Sequence, residues 1–415
     1  MVATSSSVLG SAVVAVVGPG VPAVVVTGST SSSSAGSPQH ATWHATWQGR
    51  GGSSRATITR RPAGGCGART RGARVTANLR EVAARAGVSV RTVSNVVSGT
   101  GQVAPATRAR VQRVVDELGY RPNLAARQLR GGRTGLIGLV VPELTSAYFA
   151  ELAGLVVQTA LERSWTVVVE ESGGTAEGER RLLEGRGGRG LDGLVVSPWA
   201  LPPEELSRHA GARPLVVLGE RDPAGAADHV TVDNVAAAHA VTTHLLSLGR
   251  RRIAAVGLQP HLSNGTAAQR LLGHRRALAD AGLAPEDALE VPVEALHRAQ
   301  GARAMEALLD APRPPDAVFC FSDGLALGAL RAAARRGCRV PEDVALAGFD
   351  DIEDGRYATP SLTTVSPDKQ QIAARALMCL ADRIDRRSAA APQRIVVPHR
   401  LVVRESTAGT EPGTR

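Results

Sequence analysis

The chain has 415 residues, enough for two or three domains at the usual ~100–200 residues each, and a formal charge of +10. The charge is unevenly spread: residues 1–74 and 75–135 each carry +7, and the remainder carries −4. No apolar run reaches the ~18–20 residues of a membrane span, and Cys66, Cys320, Cys338 and Cys379 form no CxxC or His-Cys cluster, which argues against a membrane protein, a disulfide framework and a cysteine-held metal.

Residues 1–74 are low in complexity. The apolar stretch "SVLGSAVVAVVGPGVPAVVV" lacks a basic leader and is cut by Gly18, Pro19, Gly20 and Pro22, so it is no signal peptide. A serine tract, a duplicated "HATW" and an arginine-rich tail follow. The expectation for 1–74 is a disordered extension. A start codon at Val75, where organised sequence begins, would make this extension a start-site artefact; an intact mass from the native host decides that.

Basic residues 75–135 contain helical signals. "NLREVAARA" has an apolar side at Leu79, Val82, Ala83 and Ala86, with Asn78 as a cap. "GVSVRTVSNVVSG" supplies a glycine turn, a Ser89 cap and an apolar stripe at Val90, Val93 and Val97. Arg91 and Asn95 fall on another face. Two short helices about a glycine-containing turn make a helix-turn-helix, in a basic block suited to a polyanion. A third helix starts near Pro105, carries Val111, Val114, Val115 and Leu118, and ends at Gly119. "PNLAARQLRGGRTG" then reads as a short basic helix decaying into a linker.

From Leu136 strand-like runs alternate with helices: "LIGLVVP", "WTVVVEES", "LDGLVVSP", "PLVVLGE", "RIAAVGL", "AVFCFSD" and "VALAGFDD". The alternation predicts parallel sheets covered on both faces, enough for two subdomains. Ligands of such sheets bind beyond the carboxyl ends of strands, where Glu143, Tyr148, Ser197, Trp199, Glu220, Arg221, Ser322, Asp323, Asp350 and Asp351 fall. "GRGGRG" (185–190) matches a dinucleotide fingerprint by letter only: it precedes a strand instead of following one. No ordered nucleophile–base pair or metal cluster is legible, so no enzyme, cofactor or metal is expected.

The order and spacing of "LREVAARAGVSVRTVSNVVSG", "ATRARVQRVVDELGYRPNLAARQLR", "GLIGLVVPEL", "VTVDN", "HLLSLGRRRIAAVG", "VFCFSDGLALGALRAA", "RVPEDVALAGFDDI", "TPSLTTV" and "LVVRES" resemble the LacI family of transcriptional regulators over some 330 residues. The resemblance implies a small all-α helix-turn-helix domain (75–121), a hinge helix and linker (122–135), and an α/β two-subdomain effector-binding and dimerisation domain with parallel sheets, like periplasmic sugar-binding proteins (136–409). A disordered tail (410–415) follows. It implies base reading by Val90, Arg91 and Asn95, with Val90 open to a core role instead. Backbone contacts fall to Asn78, Thr92 and Ser94, and Ser89, the cap, is counted with them among the DNA-binding residues. Asn123, Ala126 and Leu129 match the hinge helix, with Leu129 as a minor-groove wedge and Ala126 as the small residue facing the groove. In the cleft, Tyr148 matches an aromatic that packs on the effector, and Arg270 and Asp350 match a pair that bonds its hydroxyls. Ser322 and Asp323 replace an Asn-Asp pair, Glu220 stands where Asp is usual, and Trp199 is either a stacking face or a rim residue. The implied partners are a pseudo-palindromic double-stranded operator, a sugar or nucleoside effector, and a second copy of the chain, as a homodimer or dimer of dimers in the cytoplasm. Repression is the expected output, with activation and solute binding as alternatives.

Overall fold

The computed structural model describes residues 13–17, 24–27, 42–49, 52–59, 78–98, 101–120, 133–184, 190–262, 265–385 and 391–408. Two compact units separate near Thr134 and are treated one at a time.

The smaller unit contains helices α1 (Leu79–Ala86), α2 (Val90–Ser98) and α3 (Pro105–Glu117). Gly87 ends α1 at φ 62°, a left-handed conformation that costs glycine little. The core joins Val82, Ala83 and Ala86 to Val93, Val96, Val111, Val114 and Tyr120. The apolar stripe of α2 therefore differs from the sequence expectation: Val93 and Val96 are buried, while Val90 and Val97 only pack on the edge of the core. An i, i+3 pair points directly at α1 and α3, and the flanking valines lie to either side. Ala104 caps α3 without a side-chain hydrogen bond, as its methyl group dictates.

In the larger unit the strands are β1 (Val13–Val17), β2 (Val24–Thr27), β3 (Thr42–Gly49), β4 (Gly52–Thr59), β5 (Leu136–Val141), β6 (Thr166–Glu171), β7 (Gly193–Val196), β8 (Leu215–Leu218), β9 (Asp228–Val232), β10 (Ile253–Leu258), β11 (Glu290–Pro292), β12 (Ala317–Cys320), β13 (Ala345–Phe349), β14 (Thr363–Pro367), β15 (Arg394–Val397) and β16 (His399–Val402). One sheet has the order β15-β9-β8-β7-β5-β6-β1-β2, another β11-β10-β12-β13-β14-β16, and β3 pairs with β4. The strands β5 to β9 pair in parallel, as do β10 to β14. β1–β4 depart from the expectation of disorder in residues 1–74. Runs of β-branched valine favour extended backbone, and β1 adds antiparallel to the free edge of β6.

The chain crosses between the two large sheets at Val232–Asn234, Pro367–Lys369 and Val397–His399. Each sheet is covered by its own apolar clusters. Val195, Val216, Leu152, Val156 and Leu377 pack in the first, and Phe319, Phe321, Phe349 and Leu245 in the second. Burying each such side chain contributes about 1.5–3 kcal/mol. The result is two sheets with strand ends converging on one cleft. Residues 121–132 and 409–415 lie outside the described residues, as do 185–189 of the glycine run.

Candidate functional site: a helix-turn-helix head and a polar cleft

In the head, local hydrogen bonds set the helices. Asn78 Oδ1 accepts the backbone N–H groups of Arg80 (2.9 Å) and Glu81 (3.1 Å), and Glu81 accepts the Asn78 N–H at 3.1 Å. This reciprocal cap occupies the Asn78 oxygen, so its Nδ2 is the atom suited to a phosphate. Ser89 Oγ accepts the Thr92 N–H at 3.1 Å and lies 2.9 Å from Thr92 Oγ1. Both residues thus start α2, and Thr92 also matches a backbone-contact position. Arg91 is exposed, whereas Ser94 and Asn95 are half-buried. Val90 is half-buried against the core, so it serves packing and presents only part of its surface. Asn123, Ala126 and Leu129 lie outside the described residues.

The sensor body encloses a cavity of about 400 Å³ at the carboxyl ends of its parallel strands. Tyr148, Trp199, Glu220, Arg270, Ser322 and Asp350 all line it. Its size falls within the range for small-molecule sites. Tyr148 and Phe149 meet edge to face at 5.1 Å between ring centroids, and Phe149 lies 6.0 Å from Trp199. Trp199 packs on Gly174, where an added Cβ would come within 2.9 Å of the indole. Burial, then the nearby Asp350 and Glu220 carboxylates, raise the Tyr148 phenol above its ordinary pKa, so it stays a neutral donor.

Arg270 is buried and preorganised. Nε donates to Asn234 Oδ1 at 2.8 Å, Nη1 donates to the Phe321 carbonyl, and the guanidinium lies 3.5 Å above the Phe349 ring centroid. Asn234 in turn donates to Glu220 Oε1 at 2.6 Å, and Thr266 Oγ1 donates to Glu220 Oε2. Glu220 is therefore the far end of a network that orients Arg270. Asp350 lines the same cavity, and among the described residues no ion pair joins it to Arg270. Burial pushes its carboxyl up to about 7, against the opposing pull of Arg270 and Lys369. Two complementary groups thus face one space without consuming each other.

Asp323 stands elsewhere than expected. It is fully buried and absent from the cavity wall. Its Oδ1 accepts the Thr364 hydroxyl at 2.6 Å and its Oδ2 accepts the Ile352 N–H at 2.9 Å. Burial and the nearby Asp350 carboxylate hold its pKa well above the ordinary range. The expectation of an effector contact at Asp323 is corrected: a strand-end position turned one residue into the protein, and the side chain secures the Asp350 loop. Ser322 remains on the wall, but its hydroxyl accepts the Leu325 N–H at 3.1 Å and donates to the Leu296 carbonyl at 3.1 Å.

The sequence reading missed several members. Buried Glu179 accepts the N–H groups of Trp199 (2.6 Å), Ala200 (3.1 Å) and Leu201 (2.8 Å), fixing the Trp199 loop. His297 meets Glu143, a residue expected from its strand end, at 2.7 Å across the cleft. Asn234 lay in the quoted "VTVDN", the one signal that could have found it; nothing local marks Glu179 or His297. Among the described residues no group of three or more His, Cys, Asp or Glu side chains is placed to hold a metal, and no helix is long and apolar enough to cross a membrane.

A DNA-reading head and a ligand cleft between parallel-sheet subdomains define a transcription regulator with a sensor domain. Residues 78–123 match the model of bacterial regulatory proteins of the lacI family, and 242–407 match the periplasmic binding protein-like domain. The HTH-type transcriptional repressor PurR of Shigella sonnei is 34% identical over 336 residues, 80% of this chain and 97% of that protein. A structure of the transcriptional regulator CelR in complex with cellobiose is 33% identical, with a TM-score of 0.59 over 80% of this chain and 99% of that one. The Lac repressor dimer bound to operator and the anti-inducer ONPF is 26% identical, with a TM-score of 0.69 over 80% of this chain and 99% of that one. The chain belongs to the LacI family of bacterial transcriptional regulators. It is a DNA-binding regulator with an effector-binding sensor domain, and these relatives are regulators, not enzymes.

Proposed function

We propose that the protein is a cytoplasmic repressor that binds a pseudo-palindromic operator as a dimer, with α2 in the major groove and 122–135 in the minor groove. A neutral, hydroxyl-rich effector, a sugar before a nucleoside, occupies the cleft and changes operator affinity. The observation that carries the reading is the pairing of Arg270 and Asp350 on one cavity without a direct ion pair. Arg270 only donates and ionised Asp350 only accepts, so a polyol satisfies both. The aromatic wall of Tyr148, Phe149 and Trp199 suits the apolar face of a sugar ring. Cellobiose bound to CelR makes a disaccharide the first compound to try. Arg91 reads a base, with Asn95 beside it, and Asn78, Ser89, Thr92 and Ser94 hold the backbone.

The test has two parts. A thermal-shift screen of cellobiose, other mono- and disaccharides and nucleosides identifies the compound that raises the melting temperature. That compound, recovered unchanged, must then alter an operator gel shift. A compound that binds without moving the gel shift, or is chemically converted, contradicts the reading.

A further inference from the structure

Of the 48 Lys and Arg residues in the chain, 47 are arginine; Lys369 is the single lysine. It opens helix Lys369–Ile384 at a crossover between the two large sheets. Its side chain is only 11% exposed. The ammonium donates to Glu151 Oε2, to the Asp350 carbonyl at 2.9 Å and to the Asp351 carbonyl at 3.0 Å. It also lies 6.0 Å from the Tyr148 ring centroid.

These acceptors come from two subdomains. Glu151 belongs to helix Ala147–Leu161, which packs on the first sheet and also carries Tyr148. Asp350 and Asp351 follow β13 of the second sheet. Glu151 reinforces the join, since its Oε1 accepts the Glu353 N–H at 2.8 Å. The loop being held is strained: Asp350 has φ 119° and Asp351 φ 49°, both in the region that disfavours side-chain-bearing residues. Such backbone persists only where its surroundings over-determine it. Asp351 is fixed by Arg404 at 2.6 Å and Arg356 at 3.2 Å, but those contacts hold its side chain. Lys369 is the group that holds both carbonyls.

Three acceptors converge on one point here, and an ammonium offers three donors from one nitrogen. A guanidinium spreads its donors over a planar fork and cannot bring three to one atom's position. We propose that Lys369 is a positioning residue: its ammonium fixes the Asp350–Asp351 loop against the helix bearing Tyr148, so that the polar and aromatic sides of the cleft are set as one unit, and arginine cannot replace it. The consequence for effector binding rests on the cleft reading above; the geometry and its test do not.

The experiment is hydrogen exchange on the full chain without added ligand, read in peptides spanning 349–357. Lys369→Arg and Lys369→Met should both accelerate exchange there by about ten-fold or more, with β10 and β12 unchanged. Parental exchange in Lys369→Arg would show that any cation serves and would overturn the proposal. If these variants do not fold, Glu151→Gln decides. Protein grown on 13Cε-lysine gives one lysine side-chain resonance, and Glu151→Gln should move it and accelerate the same peptides. An unmoved resonance with unchanged exchange would overturn the proposal equally. Neither readout contains an effector, so a failed ligand screen and a failed lysine test remain separate results.

Discussion

Arginine serves the head and the sensor body in opposite ways. Arg91 projects from α2 into solvent, while Arg270 is buried, stacked on Phe349 and tied to Asn234 and the Phe321 carbonyl. The exposed one can adapt to a polyanion but must displace its counterions. The buried one has lost its freedom already, so it meets a ligand in a fixed direction and in a low-dielectric setting. Under the proposed function, recognition of DNA is therefore governed by charge in water, and recognition of the effector by preorganised hydrogen bonds.

The largest consequence of that contrast is salt dependence. Operator affinity should fall about 10³-fold between 50 and 200 mM salt, because several of the ten arginines in 75–135 act on each half-site. Effector affinity should change little over the same range. Titrations by fluorescence anisotropy and by calorimetry would expose the opposite result, an operator curve indifferent to salt.

Next in size is Arg91→Ala. It should cost about 1–3 kcal/mol on the preferred operator and relax base choice, with a smaller effect on random DNA. Equal weakening on every sequence would reassign Arg91 to a phosphate and leave base reading to Asn95.

The acid-base behaviour of the cleft offers a third test. The Asp350 carboxyl is pushed up to about 7 in the folded state, so folding favours its protonated form. The folded protein holds a proton that the unfolded chain has released between about pH 4 and 7. This residue's contribution to stability therefore declines as pH rises through that window. Asp350→Asn should melt higher than the parent at pH 8, with the advantage gone near pH 4. An effector that donates hydroxyls to the carboxylate should bind the parent more weakly as pH drops below 7. A melting difference that does not change with pH would remove Asp350 from this account. The smallest effect is Ser89→Ala, which removes the cap of α2 and should cost the head about 1 kcal/mol in thermal denaturation, without changing the effector constant.

The two regions also differ in how far their sequences disclose them. In the head, cap and partner lie three residues apart, as with Asn78 and Glu81 or Ser89 and Thr92, so spacing alone locates them. Only the side of α2 turned to the core shifted, from Val97 to Val96, because a one-residue rotation leaves the helical pattern nearly unchanged. In the body, strand ends located Tyr148, Glu220 and Asp350, since parallel sheets place ligands there, whereas Arg270, inside helix Thr266–Asp280, followed only from the family resemblance. What completes the cleft is non-local: Glu143 meets His297 154 positions away, and Glu151 meets Lys369 218 positions away. No local pattern encodes such pairs. Asp323 shows the complementary failure, for a strand-end carboxylate turns either into the cleft or into the core, and only packing against Thr364 and Ile352 decides.

Whether the cleft commands the head is decided by the operator affinity of the parent and of Asp350→Asn, each with and without the compound found in the thermal-shift screen. Without the compound the two affinities should be equal. Adding the compound should change the parent's affinity by about ten-fold or more and leave the variant's unchanged at the same concentration. A variant that folds, binds operator and still responds at the parental concentration would contradict control of the head by the cleft.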